Sequence, residues 1–112
     1  MNDEIYEAIK ELPSISKTIK EYNLKAKKKL SQNFILDINL TNKIAKLSDS
    51  IKNNTVIEIG AGPGSLTRSI LLNGAKKIII IEKDDRFISA LTKLNLASKN
   101  KIVIENEDAL DI

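Results

Sequence analysis

No cysteine, histidine or tryptophan occurs among these 112 residues. Without cysteine there is neither a disulfide frame nor a thiolate metal site. Without histidine, the commonest zinc ligand and the neutral-pH imidazole base are both missing. Carboxylates and amides remain, so zinc chemistry is disfavoured and no metal is expected. Aromatic residues make up 4% of the chain (Tyr6, Tyr22, Phe34 and Phe87), which leaves little surface for stacking single-stranded bases. The aliphatic run Ile78–Ile81 is far shorter than the roughly 20 residues a membrane helix needs. The start, Met1-Asn2-Asp3-Glu4, is acidic and lacks the apolar core of a secretory signal. A cytoplasmic protein of one domain at most is the expectation.

What is present is unevenly placed. The net charge of +3 conceals a segment of −3 over residues 1–16, one of +5 over residues 17–29 and +1 over the rest. Lys25, Lys27, Lys28 and Lys29 concentrate the basic excess, as an arm contacting phosphates would. A solvated lysine run in a chain rich in Lys, Asn and Ile looks the same. Only four glycines occur, and three of them lie within five residues, Gly60, Gly62 and Gly64.

The organisation divides at residue 36. Residues 1–36 are polar and lysine-rich, with weak helical patterning over Ile5–Leu12 and Ile15–Tyr22. Residues 37–112 read as regular α/β structure. Leu40, Ile44, Leu47 and Ile51 line one face of a helix that Asp37 can cap. Thr55–Ile59 is a β-branched run ending at a glycine, hence a strand. A helix from about Ser65 to Asn73 follows, with Gly74 as its stop. Ile78–Ile81 reads as a strand, apolar on both faces and so buried between helix layers. Asp84 caps a helix carrying Phe87, Ile88, Leu91 and Leu94, and Ile102–Ile104 forms a third strand. Strand, helix, strand, helix, strand packs most economically as a parallel sheet with right-handed crossovers. This is one mononucleotide-binding half of a doubly wound fold, with the outer edge of the first strand left without a partner.

The chemistry concentrates at Glu58-Ile-Gly60-Ala-Gly62-Pro-Gly64, on a strand-to-helix turn. Alternate glycines let the backbone turn sharply and approach a ligand without Cβ atoms between them. The dinucleotide pattern G-x-G-x-x-G is not met, since Ser65 stands at its third glycine and Gly64 one residue earlier. Glu58, just before the loop, would repel a pyrophosphate but suits a cationic amino group or sulfonium. S-adenosylmethionine carries both. Glu82 ends the second strand, where an acidic side chain reaches ribose hydroxyls; this supports an adenosine ligand without naming it. Asp108 lies beyond the third strand on the rim where such folds bind ligands, able to accept from an adenine amine. Gln32, Asn33 and Phe34, ahead of the expected helix, read on their own as a loop with a buried aromatic anchor.

Taken together, KKKLSQNFILD, EIGAGPGSLT, IEKD and NEDAL resemble the ribosomal RNA adenine dimethyltransferase family, in its order and spacing over roughly residues 25–112. The glycine loop and acidic strand end are widespread among methyltransferases, whereas the QNF element is particular to this family. Ser31 stands where the family usually has glycine, and Ile35 where it has leucine. The resemblance implies an α/β, Rossmann-like S-adenosylmethionine-dependent methyltransferase fold, here its first βαβαβ half behind an N-terminal helical extension. It implies dimethylation at N6 of two adjacent adenosines of small-subunit ribosomal RNA, within the immature subunit. It further implies that Asn33 and Ile35 close over the cofactor, that Gly60 and Gly62 pass its methionine end, that Glu82 holds the ribose and Asp108 the adenine, and that Lys25 and Lys27–Lys29 contact RNA.

Relatives orient the extruded adenine with an Asn-x-Pro-Tyr type segment after a fourth strand. Pro13 and Pro63 are the prolines here, and neither lies in such a segment. The expectation is therefore that no catalytic residue and no C-terminal helical domain lie within these residues, and that they transfer no methyl group alone. Two alternatives stand beside this reading. One is half of a nicotinamide-dependent dehydrogenase, disfavoured by the glycine spacing, Glu58 and QNF; the other is a non-catalytic RNA-binding module using the lysine arm.

Overall fold

The computed structural model describes residues 3–21 and 51–111. Two short helices, α1 (Asp3–Glu11) and α2 (Ile15–Glu21), precede an α/β unit. That unit runs β1 (Thr55–Ile59), α3 (Ser65–Leu72), β2 (Lys77–Ile81), α4 (Ile88–Ala97) and β3 (Ile102–Glu105). A 3₁₀ turn, Asp85–Phe87, leads into α4, and another, Ala109–Asp111, follows β3. The boundary expected between residues 36 and 37, the helix expected from Asp37, and the QNF and lysine elements lie outside the described residues.

The three strands are parallel in the order β1-β2-β3. Their register pairs Val56 with Ile78 and Ile78 with Ile102, and one step on Glu58 with Ile80 and Ile80 with Ile104. Because side chains alternate along a strand, these six residues share one face. The core forms there: Ile78, Ile80 and Ile102 are buried with Ile70 and Leu71 of α3, Leu91 and Leu94 of α4, and Phe87. Each such side chain contributes about 1.5–3 kcal/mol relative to exposure.

The other face differs from the expectation of a sheet covered on both sides. Ile57 and Ile59 are 63% and 67% exposed, Val103 is exposed, and Ile79 and Ile81 are half-buried. An aliphatic run signals burial but not by how many layers, so reading Ile78–Ile81 as covered on both faces overstates what is seen among the described residues.

Helix ends follow local chemistry. Asn73 ends α3, and Gly74, at φ 90°, donates its N–H to the Leu71 carbonyl while Ala75 N–H reaches the Ile70 carbonyl. Those bonds satisfy terminal carbonyls as a left-handed cap should. The stop was legible from Gly74 itself.

The N-terminal helices belong to the core. Ile5 and Ile9, one turn apart on α1, are buried in the main apolar cluster, and Ile15 of α2 is buried as well. Arg68 of α3 joins them polarly, donating from Nη1 to the Pro13 carbonyl at 2.7 Å and from Nη2 to Thr18 Oγ1 at 3.5 Å. Arg68 as a residue is 9% exposed, and its Nε is buried without a partner among the described residues. Lys99 with Glu4, and Lys93 with Glu21 at 4.0 Å, form ion pairs at the surface. Exposed pairs of this kind add little.

Candidate cofactor site

Three turns meet at the carboxyl ends of the strands, the rim where open parallel sheets place ligands. The first, residues 60–64, carries Gly60, Gly62 and Gly64 at φ 75°, 56° and 98°. Each lies in the left-handed region that side chains with a Cβ resist. The loop is tied to the sheet through Gly60 N–H, which donates to the Ile81 carbonyl at 2.8 Å. A Cβ on Gly60 would meet nothing within 4 Å, so the backbone there faces open space. A Cβ on Gly64 would stand 3.1 Å from Leu94 Cδ2 and 3.5 Å from Leu91 Cδ2, so Gly64 is there for helix packing.

Glu82 binds the turns to one another. Its Oε1 accepts from Gly62 N–H at 2.7 Å, and its Oε2 from Asp84 N–H at 3.0 Å. Its own N–H donates to the Glu105 carbonyl, and its carbonyl accepts from Asn106 Nδ2 at 2.8 Å. The carboxylate is therefore a junction of first and second turns, 4% exposed. Each carboxylate oxygen has two acceptor directions, so ribose hydroxyls can be received without breaking the backbone bonds.

Glu58 lies beneath the loop, 8% exposed, with Thr67 Oγ1 of α3 donating to its Oε1 at 2.6 Å. Burial pushes this carboxyl up to about 7, against the Thr67 hydrogen bond that favours the charged form; the neighbouring charge of Glu82 adds to the rise. Ser65, first residue of α3, has a buried Oγ without a partner. Asp108 is half-buried on the third turn, and its Oδ1 accepts from Leu110 N–H at 3.0 Å.

Of the residues singled out from the sequence, Gly60, Gly62 and Glu82 are brought together, and Asp108 sits on the adjoining turn. Asn33, Ile35, Lys25, Lys27, Lys28 and Lys29 lie outside the described residues. Sequence reasoning missed Thr67, Ser65 and Asn106. Thr67 and Ser65 belong to the EIGAGPGSLT stretch, but hydroxyl residues in a helix carry no spacing signal of their own. Among the described residues, no group of three or more acidic side chains could hold a metal ion, and no helix is long and apolar enough to cross a membrane.

The residues present fit an adenosine cofactor with a cationic tail: an accessible glycine backbone, a Ser65 hydroxyl without a partner among the described residues, a strand-end carboxylate and another under the loop. Such a sheet, with its glycine turn at the strand ends, is of the Rossmann-like α/β class. Residues 23–112 match the family described as ribosomal RNA adenine dimethylase, and the chain belongs to that family.

Among its relatives is dimethyladenosine transferase 1, mitochondrial, of Vermamoeba vermiformis, 55% identical over 80% of this chain and 26% of that protein. Ribosomal RNA small subunit methyltransferase A of Cereibacter sphaeroides is 45% identical over 94% of this chain and 38% of that protein. The chain thus spans well under half the length of these relatives. A crystal structure of an RNA methyltransferase from Pyrococcus horikoshii superposes with TM-score 0.69 at 23% identity, over 100% of this chain and 54% of that one, and supports the fold. Neither the family nor the fold match supports the dehydrogenase alternative.

Proposed function

We propose that this chain forms the S-adenosylmethionine-binding part of an enzyme that dimethylates N6 of adjacent adenosines in small-subunit ribosomal RNA. The observation that carries the reading is the bond from Gly62 N–H to the buried Glu82 carboxylate, which sets the glycine turn against the strand-end acid within a chain of this family. Glu82 would hold the ribose, Gly60 and Gly62 pass the methionine end, and Asp108 receive the adenine amine through its carboxylate. Asn33 and Ile35 are assigned to closing over the cofactor.

The bound cofactor supplies an already activated methyl group on a sulfonium, so the chemistry asks for no metal. The protein's part is to bind and orient. The loop amides and the strand-end carboxylates are fixed by the hydrogen bonds that hold the three turns together, so little reorganisation is needed at binding. Lys25, Lys27, Lys28 and Lys29 are assigned to RNA phosphates, which makes RNA binding salt-sensitive. The partner is the immature small ribosomal subunit. Its compartment is the cytoplasm, as expected from the sequence, or the mitochondrion named in the Vermamoeba relative.

Calorimetric titration of the folded chain with S-adenosylhomocysteine and, separately, NAD tests the reading. Saturable binding of the former alone, lost in Glu82→Ala while circular dichroism stays unchanged, is expected. Binding of NAD, or of neither ligand by a folded chain, would overturn it.

A further inference from the structure

Glu58 is placed unlike the other acidic residues of the rim. It sits on the helix-covered face of β1, opposite Ile80 in the register, and it is nearly inaccessible. Among the described residues, Glu82 receives two backbone N–H groups, whereas Glu58 receives a single hydroxyl, that of Thr67. No cation among the described residues offsets it. Arg68, next to Thr67 on α3, directs its guanidinium to Pro13 and Thr18, and the α4 residues beneath the loop, Leu91 and Leu94, are apolar. The charged group that does act on Glu58 is Glu82, just past the end of β2 and of the same sign.

A buried carboxyl with one neutral donor and a negative neighbour is poorly suited to an empty site in its charged form. We propose that Glu58, positioned by Thr67, is a proton-exchanging, charge-selecting group of the cofactor seat: it carries a proton while the site is empty and releases it to solvent when a ligand with a cationic methionine end binds. The inference rests on the cofactor reading above and adds to it a basis for selectivity. The adenosine part is recognised whatever the proton does, and the cationic end is recognised only as the proton leaves. The rise of Glu58 to about 7 places the exchange within the physiological range. Thr67 acts through Glu58 and is a positioning residue, since its hydroxyl fixes one oxygen and favours the ionised form.

The linkage has a direct size. If the ligand binds the ionised form, apparent affinity falls about tenfold between roughly pH 8 and pH 6. Three measurements test it. Carboxyl-carbon NMR on the ligand-free chain should show Glu58 titrating near neutrality, higher still in Thr67→Val and restored in Thr67→Ser. A midpoint in the ordinary carboxylate range overturns the proposal without reference to any ligand. Calorimetry in two buffers of different ionisation enthalpy should show S-adenosylmethionine binding with release of about one proton near pH 6 and about half a proton at pH 7. Methylthioadenosine, which lacks both ammonium and sulfonium, should bind with no pH dependence, and Glu58→Gln should flatten the profile of S-adenosylmethionine. Equal pH slopes for the two ligands, or none for either, overturn the inference while leaving the cofactor site intact. Failure of both ligands to bind a chain that NMR shows to be folded overturns the cofactor reading, and the inference falls with it.

Discussion

The turns that follow β1 and β2 perform the same topological task with opposite materials. After β1 the chain turns on three left-handed glycines, and α3 begins at Gly64 with no side-chain cap. After β2 it turns on charged side chains: Asp84 accepts from Arg86 N–H at 3.1 Å and holds the Arg86 guanidinium, with Nη2 at 2.8 Å from Oδ2. The Asp84–Arg86 part of the second turn satisfies itself. The first takes its one side-chain partner from the second turn, Glu82, and leaves backbone exposed at Gly60. A site is made where a turn forgoes side chains of its own and a neighbour supplies them.

Substitutions that give the first turn a Cβ break the comparison most strongly. Gly64→Ala must accept a left-handed backbone and crowd Leu94, and a loss of about 3 kcal/mol in urea unfolding is expected. A loss below about 1 kcal/mol would mean that α3 and α4 readily separate.

Glu58→Gln sharpens it by removing the buried charge. The folded-state value of Glu58 is raised above the unfolded one, so its contribution to stability is fully present below about 4.5 and is lost as pH rises through about 7. The glutamine variant should therefore match the parent in acid and exceed it by up to about 3 kcal/mol at mildly alkaline pH. Denaturant melts across that window check this, and a variant less stable than the parent throughout would contradict it.

The smallest effect belongs to the self-satisfied turn. Asp84→Ala removes a cap and an arginine partner and should cost about 1 kcal/mol in thermal unfolding. Cofactor binding should change less than in Glu82→Ala, because Asp84 reaches the site through its backbone N–H.

Much of this was legible beforehand. Thr55–Ile59, Gly74 and the alternating glycines declare a strand, a helix end and a sharp turn through rules that act over a few residues. Glu82 was legible as a strand-end acid. The residues that went unread work across distance. Thr67 matters because α3 folds back over β1, Asn106 because β3 ends beside Glu82, and Arg68 because the Pro13 turn packs against it. Ile5 and Ile9 likewise look like a weak helical pattern until α1 is seen packed into the core.

The sequence by itself determined the parallel α/β order, the family and the chemical type of the rim, because periodicity, glycine placement and strand-end acids are local properties of the chain. Tertiary structure alone decided that Glu82 grips the glycine turn, that Glu58 is buried beside a like charge with one hydroxyl for company, and that one sheet face is packed while Ile57 and Ile59 of the other are exposed. Burial and charge proximity depend on which elements fold against which, and those pairings join residues that no local pattern connects.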